Sequence, residues 1–380
     1  MTRLVSSNAP FLLVLDGGDW ISNINGIVSW KAVTYVELRN RSDTGKANTS
    51  PQTTIMPAVR VPSNCQRDFN LLAFDPDGDE VKCRNGNGSL SECNPCTPPS
   101  VISLSPSCTL SFSPTNSSNE GPYAVQLVME DFPRQTISLT QTCGSLVVKT
   151  TNDAISKIPI QFVLIVDPAV PSCTEGDFLP KFLSPTPANR AQLFTFVNQA
   201  LEITIRAEAG NSTISELLFS GPYNVIQNST GSGQFTLKWT PSDQEDGESH
   251  PICFVISASS SSGALYHSEL RCVVVTVGNS PSVTTTPSVT ITPPTTTTTQ
   301  PTTTTPSNTT LITAPASGPC KYVFVIAVNI RMSTTLSLEN NIDAILTQLK
   351  EELVRRGLPS NISLRLLRSK KLEITTTPGG

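Results

Sequence analysis

Apolar side chains recur at every second position in several short runs of this chain. Tyr123, Val125 and Leu127 alternate with Ala124, Gln126 and Val128, and Ile252, Phe254 and Ile256 alternate with Cys253, Val255 and Ser257. Successive side chains of a strand point to opposite faces, so the pattern predicts strands with one face on a core and the other half exposed. A helical period occurs near the C-terminus, where Leu338, Ile342, Ile345, Leu346, Leu349 and Leu353 share one face. Ser337 caps its start, Gly357 and Pro359 mark its end, and Glu351 and Glu352 stand in the favourable orientation toward Arg355 and Arg356. YVFVIAVNI (322–330) and ISLRLLR (362–368) read as strands on either side. Residues 319–372 therefore predict a β-α-β unit resembling half of a small α/β fold, with 373–380 a disordered tail.

The predicted strands repeat. In a first copy, residues 58–168, CTLSFSPTNSSNEGPYAVQLVMEDFP (108–133) is followed by SKIPIQFVLIVD (156–167). In a second, within residues 169–278, FTLKWTPSDQEDGESHPICFVISAS (235–259) is followed by HSELRCVVVTVG (267–278). Each copy runs through a strand ending in aromatic-x-Pro (Phe112 and Pro114, Trp239 and Pro241) and a polar turn closed by Gly121 or Gly247. An alternating strand and a β-branched strand follow. Upstream, RDFNLLAF (67–74) corresponds to ALEITIRA (200–207). Short strands at this spacing, about a hundred residues per copy, predict two Greek-key β-sandwiches in tandem. Residues 1–57 are expected to be a partial β-rich segment.

Between Gly278 and Gly318 the chain is almost all Thr, Pro and Ser, with nothing to bury against the entropy of ordering. Residues 279–318 are expected to be a disordered linker biased toward polyproline II and, if O-glycosylated, a mucin-like stalk. The whole chain, 380 residues, has room for two or three domains. A net charge of −4 with only 15% charged residues and no basic stripe argues against a nucleic-acid partner. Ten cysteines point to an oxidising compartment. No stretch approaches the ~20 apolar residues that a membrane span needs. The first apolar run, Phe11 to Leu15, is too short for a signal-peptide core, so the chain is expected to be a fragment lacking its leader and any anchor.

If the hairpin after FVISAS folds about Ser262 and Gly263, opposed residues sum to 525, which 253 + 272 satisfies. Cys253 and Cys272 are therefore expected to be direct neighbours on the outward face, joined by a disulfide. Cys65, Cys83, Cys93, Cys96, Cys108, Cys143 and Cys173 leave their pairing open, and Cys320 is left over for a partner elsewhere. Cys93 and Cys96 have C-x-x-C spacing with no second pair, which speaks against zinc or haem.

Catalytic motifs are absent. Only two histidines occur, His250 and His267, and no metalloprotease, nucleophile-elbow or phosphate-loop signature is present, so no enzyme is expected. The acidic stretch AFDPDGDEVKC (73–83) has two readings. Asp75-Pro76-Asp77-Gly78 has the residue preferences of a type I turn with Gly78 in a left-handed bulge. Alternatively Asp75, Asp77 and Asp79, with Glu130 and Asp131 from a neighbouring strand, supply the hard oxygens that calcium prefers. The second copy has AEAGNST (207–213) at the equivalent place, without such carboxylates, and DQEDGE (243–248) reads as a solvated turn. No other cofactor is implied. N-x-S/T sequons begin at Asn40, Asn48, Asn87, Asn116, Asn211, Asn228, Asn308 and Asn361; the last six are the candidate glycosylation sites.

TYVELRNRSDTGKANTS, PAVRVPSNCQRDFNLLAFDPDGDEVKCR, YAVQLVMEDFPRQ and LPKFLSPTPANRAQL resemble a group of large extracellular vertebrate proteins. Their β-sandwich repeats are similar to immunoglobulin-like and cadherin-like domains. The strand-helix-strand after a Thr-rich stalk is similar to the first half of a SEA module, without that family's Gly-Ser-Val-Val cleavage signal. The resemblance implies a mainly β fold of two immunoglobulin/cadherin-like sandwiches, displayed outside the cell or at its surface. It implies a non-enzymatic adhesion or protein-binding role, with extracellular glycoproteins or the protein itself as partners. The alternative is a mucin-like coat component in which the sandwiches are spacers.

Overall fold

The computed structural model describes residues 2–5, 7–142, 144–231, 233–278, 324–327, 346–348, 350, 351, 354, 355, 364 and 365. The expected linker at 279–318, the tail at 373–380, Cys143, Cys320, Asn308 and Asn361 lie outside the described residues, as does most of the helical face, of which Leu346 is described as helical.

The described chain is nearly all β. In the second sandwich one sheet has the order Lys181–Leu183, Leu201–Glu208, Gln234–Trp239, Ile226–Gly231. The facing sheet has the order Ala191–Phe196, Arg271–Gly278, Ser249–Ser259, Thr213–Ser220. This is the strand order of an immunoglobulin-type sandwich, with the opening strand laid parallel to the last. The first sandwich repeats it. Arg67–Asn70, Thr109–Phe112 and Ile102–Leu104 form one sheet. Glu80–Asn85, Gly121–Phe132 and Lys157–Asp167 form the other, with Ala58–Pro62 again parallel to the last strand. The two copies read from the sequence thus share their strand order, except that among the described residues the first has no counterpart of Lys181–Leu183.

Residues assigned to a separate N-terminal segment join this second sheet. Phe11–Asp19 and Ser29–Val36 form a hairpin whose inner strand pairs with the start of Lys157–Asp167, leaving Phe11–Asp19 as the outer edge. The connection between them folds over the sheet, where Trp20 and Trp30 stack at 4.4 Å and Trp20 and Ile27 pack on Ala124 and Val163. Asn25 bonds both the N–H and the C=O of Ala124 at 2.9 Å.

This corrects the prediction of a half-exposed face. Tyr123, Val125 and Leu127 line the first core, but Ala124, Gln126 and Val128 are buried as well. The second sandwich shows the same departure for a different reason. Ile252, Phe254 and Ile256 face their own core with Val273, Val275 and Val277, whereas Cys253, Val255, Leu270, Cys272 and Val274 belong to the core cluster of the first sandwich. Cys253 and Cys272 are opposed in register and disulfide-bonded, as the index sum requires. Their face is not outward, since both are fully buried against the neighbouring domain.

The junction is reinforced at its margins. Cys65 and Cys173 are disulfide-bonded, and Asn64 exchanges hydrogen bonds of 2.8 and 2.9 Å with the backbone of Val170. Arg190 donates to the carbonyl of Leu71, and Thr54 meets Ser220 across the boundary. Burying a Val or Leu side chain is worth roughly 1.5–3 kcal/mol, so Val255, Leu270 and Val274 favour the closed junction. The two sandwiches share one buried apolar cluster.

Cys83 pairs with Cys108 within the first sandwich, and Cys93 pairs with Cys96 in a tight loop, so the C-x-x-C element is a local disulfide. Replacing Cys253 and Cys272 together by Ala is expected to lower stability by about 3 kcal/mol, read as a lower urea midpoint for the whole chain. An unchanged midpoint would show that this bond does not constrain the unfolded chain.

Candidate functional site

The acidic stretch is a turn built by its first residue. Gly78 N–H donates to Asp75 C=O at 3.1 Å, and Gly78 has a φ of 82°, which a residue without Cβ adopts freely. Asp75 Oδ1 accepts the N–H groups of Asp77 at 2.9 Å and Asp79 at 3.1 Å, fastening the turn from inside. The chain then enters Glu80–Asn85, antiparallel to the end of Gly121–Phe132, with Val81 opposite Asp131. Asp75, Asp79 and Asp131 are thereby brought together, with one oxygen from each within 4.8 Å of the others, and all three are buried.

The other two predicted ligands point elsewhere. Glu130 and Asp131 are consecutive on a strand and must face opposite sides. Glu130 accepts from Arg84 at 2.7 Å, in a network where Arg84 and Lys157 also hold Glu92. Burial alone would raise the Glu92 carboxyl, but hydrogen bonds from Arg84 and Lys157 hold it down at about 2. Asp77 turns outward to accept the N–H of Thr49 at 2.6 Å.

A residue absent from the predicted set occupies the centre. The buried guanidinium of Arg41 grips both oxygens of Asp79, with Nη2 to Oδ1 at 2.8 Å, and both oxygens of Asp43 at 3.0 and 2.8 Å. It also donates to Asn48 Oδ1 at 2.7 Å and lies 3.5 Å from Asp77. Burial opposes the charge on Arg41, yet the hydrogen bonds to Asp79 and Asp43 outweigh it and raise its pKa. Asn48 passes the network on, donating to Asp131 Oδ2 at 2.7 Å, while Asp131 Oδ1 accepts from the N–H and hydroxyl of Ser156.

Calcium at this cluster would have to compete with these hydrogen bonds. The ion takes 6–8 oxygens, as a rule, at about 2.3–2.6 Å. Here both oxygens of Asp79 and both of Asp131 are committed to protein donors, as is Asp75 Oδ1, so Asp75 Oδ2 alone is buried without a partner. The cluster instead carries its own cation on the chain. Nothing in residues 73–83 announces Arg41, which lies in a separate stretch of sequence; the only signal is that three aspartates in five positions need a counter-charge.

DQEDGE opens with a short helical turn, Asp243–Glu245, capped by Ser242. Ser242 N–H donates to Glu245 at 2.6 Å in a capping box with Asp243 and Glu245 in the first turn. The two histidines serve packing: His250 lies against Trp239, and His267 is buried, its pKa pushed down to about 4 by burial and by Arg60 and Arg67.

Asn87, Asn116, Asn211 and Asn228 are exposed. Asn40 is exposed as well, but Asn48 is buried with its amide nitrogen bonded to Asp131, so that sequon offers no free acceptor in the folded chain. The exposed large apolar side chains include Leu12, Leu15, Ile21, Ile24 and Val28, all on the N-terminal hairpin. No helix among the described residues is long and apolar enough to cross a membrane.

No family model matches the chain, and no curated protein matches it significantly. Similar solved structures include the sialic acid binding region of an adhesin from Streptococcus sanguinis SK1, at 12% identity over 61% of this chain and 78% of that one, with a TM-score of 0.21. They also include repeats EC1-2 of human protocadherin-24, at 12% identity over 62% of this chain and 100% of that one, with a TM-score of 0.19. The N-terminal four Ig domains of Dscam1 are 9% identical over 62% of this chain and 53% of that one, with a TM-score of 0.19. The assignment of fold rests on the strand order above.

Removing Arg41 leaves Asp79 buried without its partner, so Arg41→Met is expected to cost about 3–5 kcal/mol by chemical denaturation. Calcium is expected to leave the melting temperature of the native chain unchanged relative to chelator; a rise that Asp75→Asn abolishes would restore the metal reading.

A pH dependence follows from the same cluster. Burial, then repulsion from Asp131, Asp79 and Asp77, pushes the Asp75 carboxyl up to about 7 despite the Asp79 N–H, and burial pushes Asp131 up to about 6. Unfolded aspartates titrate near 3.8, so from there to about pH 7 the folded chain holds more protons and loses stability as pH rises. His267 opposes this, since its contribution is present above 6.5 and lost as pH falls toward 4. The difference between native chain and Asp75→Asn isolates the aspartate: the variant should lose less stability from pH 4 to 7, and parallel curves would refute the assignment.

Proposed function

We propose that this chain is a non-enzymatic extracellular protein-binding unit whose partner is an extracellular glycoprotein or a second copy. The observation that carries this reading is the N-terminal hairpin. Among the described strands, Phe11–Asp19 is ordered beside Ser29–Val36 at the end of its sheet, and Leu12 and Leu15 on it are 52% and 58% exposed. Terminal strands with exposed apolar side chains invite another chain, and proteins that use such surfaces hold them on a rigid support. The fused sandwiches supply that support. The disulfides between Cys65 and Cys173, Cys83 and Cys108, Cys93 and Cys96, and Cys253 and Cys272 favour an oxidising compartment outside the cytosol.

A mucin-like coat component is the second reading, favoured by the Thr- and Pro-rich run at 279–318 and by the exposed sequons at Asn87, Asn116, Asn211 and Asn228. In that reading sugars exclude other molecules and the sandwiches only space them. Titrating the fluorescently labelled full chain over cultured cells separates the two. Saturable binding that Leu15→Lys lowers at least tenfold, with the melting temperature unchanged, supports the protein-binding unit; binding absent or linear in concentration leaves the coat.

A further inference from the structure

The disulfides among the described residues differ in how well the fold defends them. Cys83, Cys108, Cys253 and Cys272 are all buried, and their two bonds span separations of 25 and 19 residues. Cys65 is buried and Cys173 exposed, at a separation of 108. Cys93 and Cys96 are only 3 apart, with Cys93 buried and Cys96 half-buried. In the chain-entropy account a disulfide constrains the unfolded chain more as its loop grows, so the shortest loop contributes least. Exchange also needs a sulfur that a thiolate can reach, which removes the two fully buried pairs. Cys93–Cys96 alone among these combines a reachable sulfur with a very short loop.

The packing around this pair sets the direction of attack. The backbone of residues 85–88, Asn-Gly-Asn-Gly, lies directly on the sulfurs: a Cβ at Gly86 would stand 2.7 Å from Cys93 Sγ, and one at Gly88 would stand 3.5 Å from Cys96 Sγ. The cavity against the pair measures about 10 Å³, room for about one water and too little for a reducing side chain. Cys93 is therefore shielded, and Cys96 carries the sulfur open to attack. Gln126 lines the same cavity, and neither atom of its buried side-chain amide has a partner. Its NH2 group is an unengaged donor in the wall beside the sulfur that leaves.

We propose that Cys93–Cys96 is a reversible redox site, reduced by a dithiol, whose opening releases its loop from the N-terminal hairpin. A thiolate of the dithiol attacks Cys96 Sγ; a mixed disulfide forms, the Cys93–Cys96 bond breaks, and Cys93 leaves as a thiolate. The second thiolate of the dithiol then attacks its own sulfur in the mixed disulfide and frees Cys96. Two electrons and two protons end on Cys93 and Cys96, and the dithiol becomes a disulfide. The carbonyl of Asn94, inside the ring, accepts from Ser29 Oγ at 3.2 Å, and that of Thr97, next to it, accepts from Asn25 Nδ2 at 2.7 Å. Glu92, just before the ring, stays anchored by Arg84, Lys157 and the N–H of Asn87, so the loosening is confined to residues 93–97. Those two hydrogen bonds brace the connection between Phe11–Asp19 and Ser29–Val36. The redox site stands whichever partner the sandwiches bind.

The test equilibrates the full chain with mixtures of reduced and oxidised dithiothreitol and quenches in acid. Free thiols are labelled with one isotope of N-ethylmaleimide, and the rest, after full reduction, with another. Mass spectrometry is expected to show Cys93 and Cys96 labelled together at a reduced-to-oxidised ratio at least about tenfold lower than any other described pair requires. At that ratio hydrogen exchange should quicken in residues 25–29 and 94–97 and stay unchanged in Ser249–Ser259. The double variant Cys93→Ser, Cys96→Ser should show the quicker exchange with no reductant present. Opening of Cys65–Cys173 at the same or a lower ratio, or of every pair in one step with global unfolding, would overturn the redox site. Selective opening with exchange at 25–29 unchanged would overturn the release of the hairpin. If the variant is not secreted, the titration of the native chain alone decides.

Discussion

Val255, Leu270 and Val274, with the Cys253–Cys272 disulfide among them, are buried between the sandwiches, and the rest of the molecule is arranged around that contact. The strand Ser249–Ser259 is apolar on both faces, one facing its own core and the other the neighbour's. Such a strand cannot stand at a solvent surface without exposing a wide apolar patch, so the second sandwich depends on the first for cover. The first sandwich meets the same requirement for Gly121–Phe132 with the N-terminal hairpin, whose Trp20 and Ile27 close over Ala124. Each long central strand thus has two coverings, and each covering comes from a different part of the chain.

A low dielectric imposes the equivalent demand on charge. Asp75, Asp79 and Asp131 cannot all be ionised together in a buried site without a cation nearby. The chain supplies it as Arg41, whose planar guanidinium holds two carboxylates at once, and it leaves Asp75 and Asp131 with raised proton affinity. A tethered cation is present at fixed stoichiometry whatever the ionic composition outside. The turn, the strand carrying Asp131 and the loop carrying Arg41 are thereby linked through a charge that belongs to the chain. On the other side of the same strand, Arg84 and Lys157 do the corresponding service for Glu92 and Glu130.

Rigidity bears on the proposed role. A body whose domains share a core, with Cys65 and Cys173 stapled at the boundary, presents its edges in fixed relation. Little ordering is then left to occur when a partner adds to the Phe11–Asp19 edge, which favours affinity from a small surface.

Features that depend on a few neighbouring residues could be read from the chain directly. The period-two runs located the strands, and their repeated order gave the sandwich pair. The Asp75 turn followed from Asp, Pro and Gly at set positions, and the Cys253–Cys272 pair followed from one hairpin's register. Each of these is governed by local backbone geometry, in which spacing along the chain is spacing in space. Residue spacing said nothing about what lies against the second face of a strand, about Arg41 entering a cluster more than thirty positions away, or about Cys65 finding Cys173 at a separation of 108. Those contacts are set by how sheets stack and which surfaces must leave water, a competition among distant segments that folding of the whole chain settles.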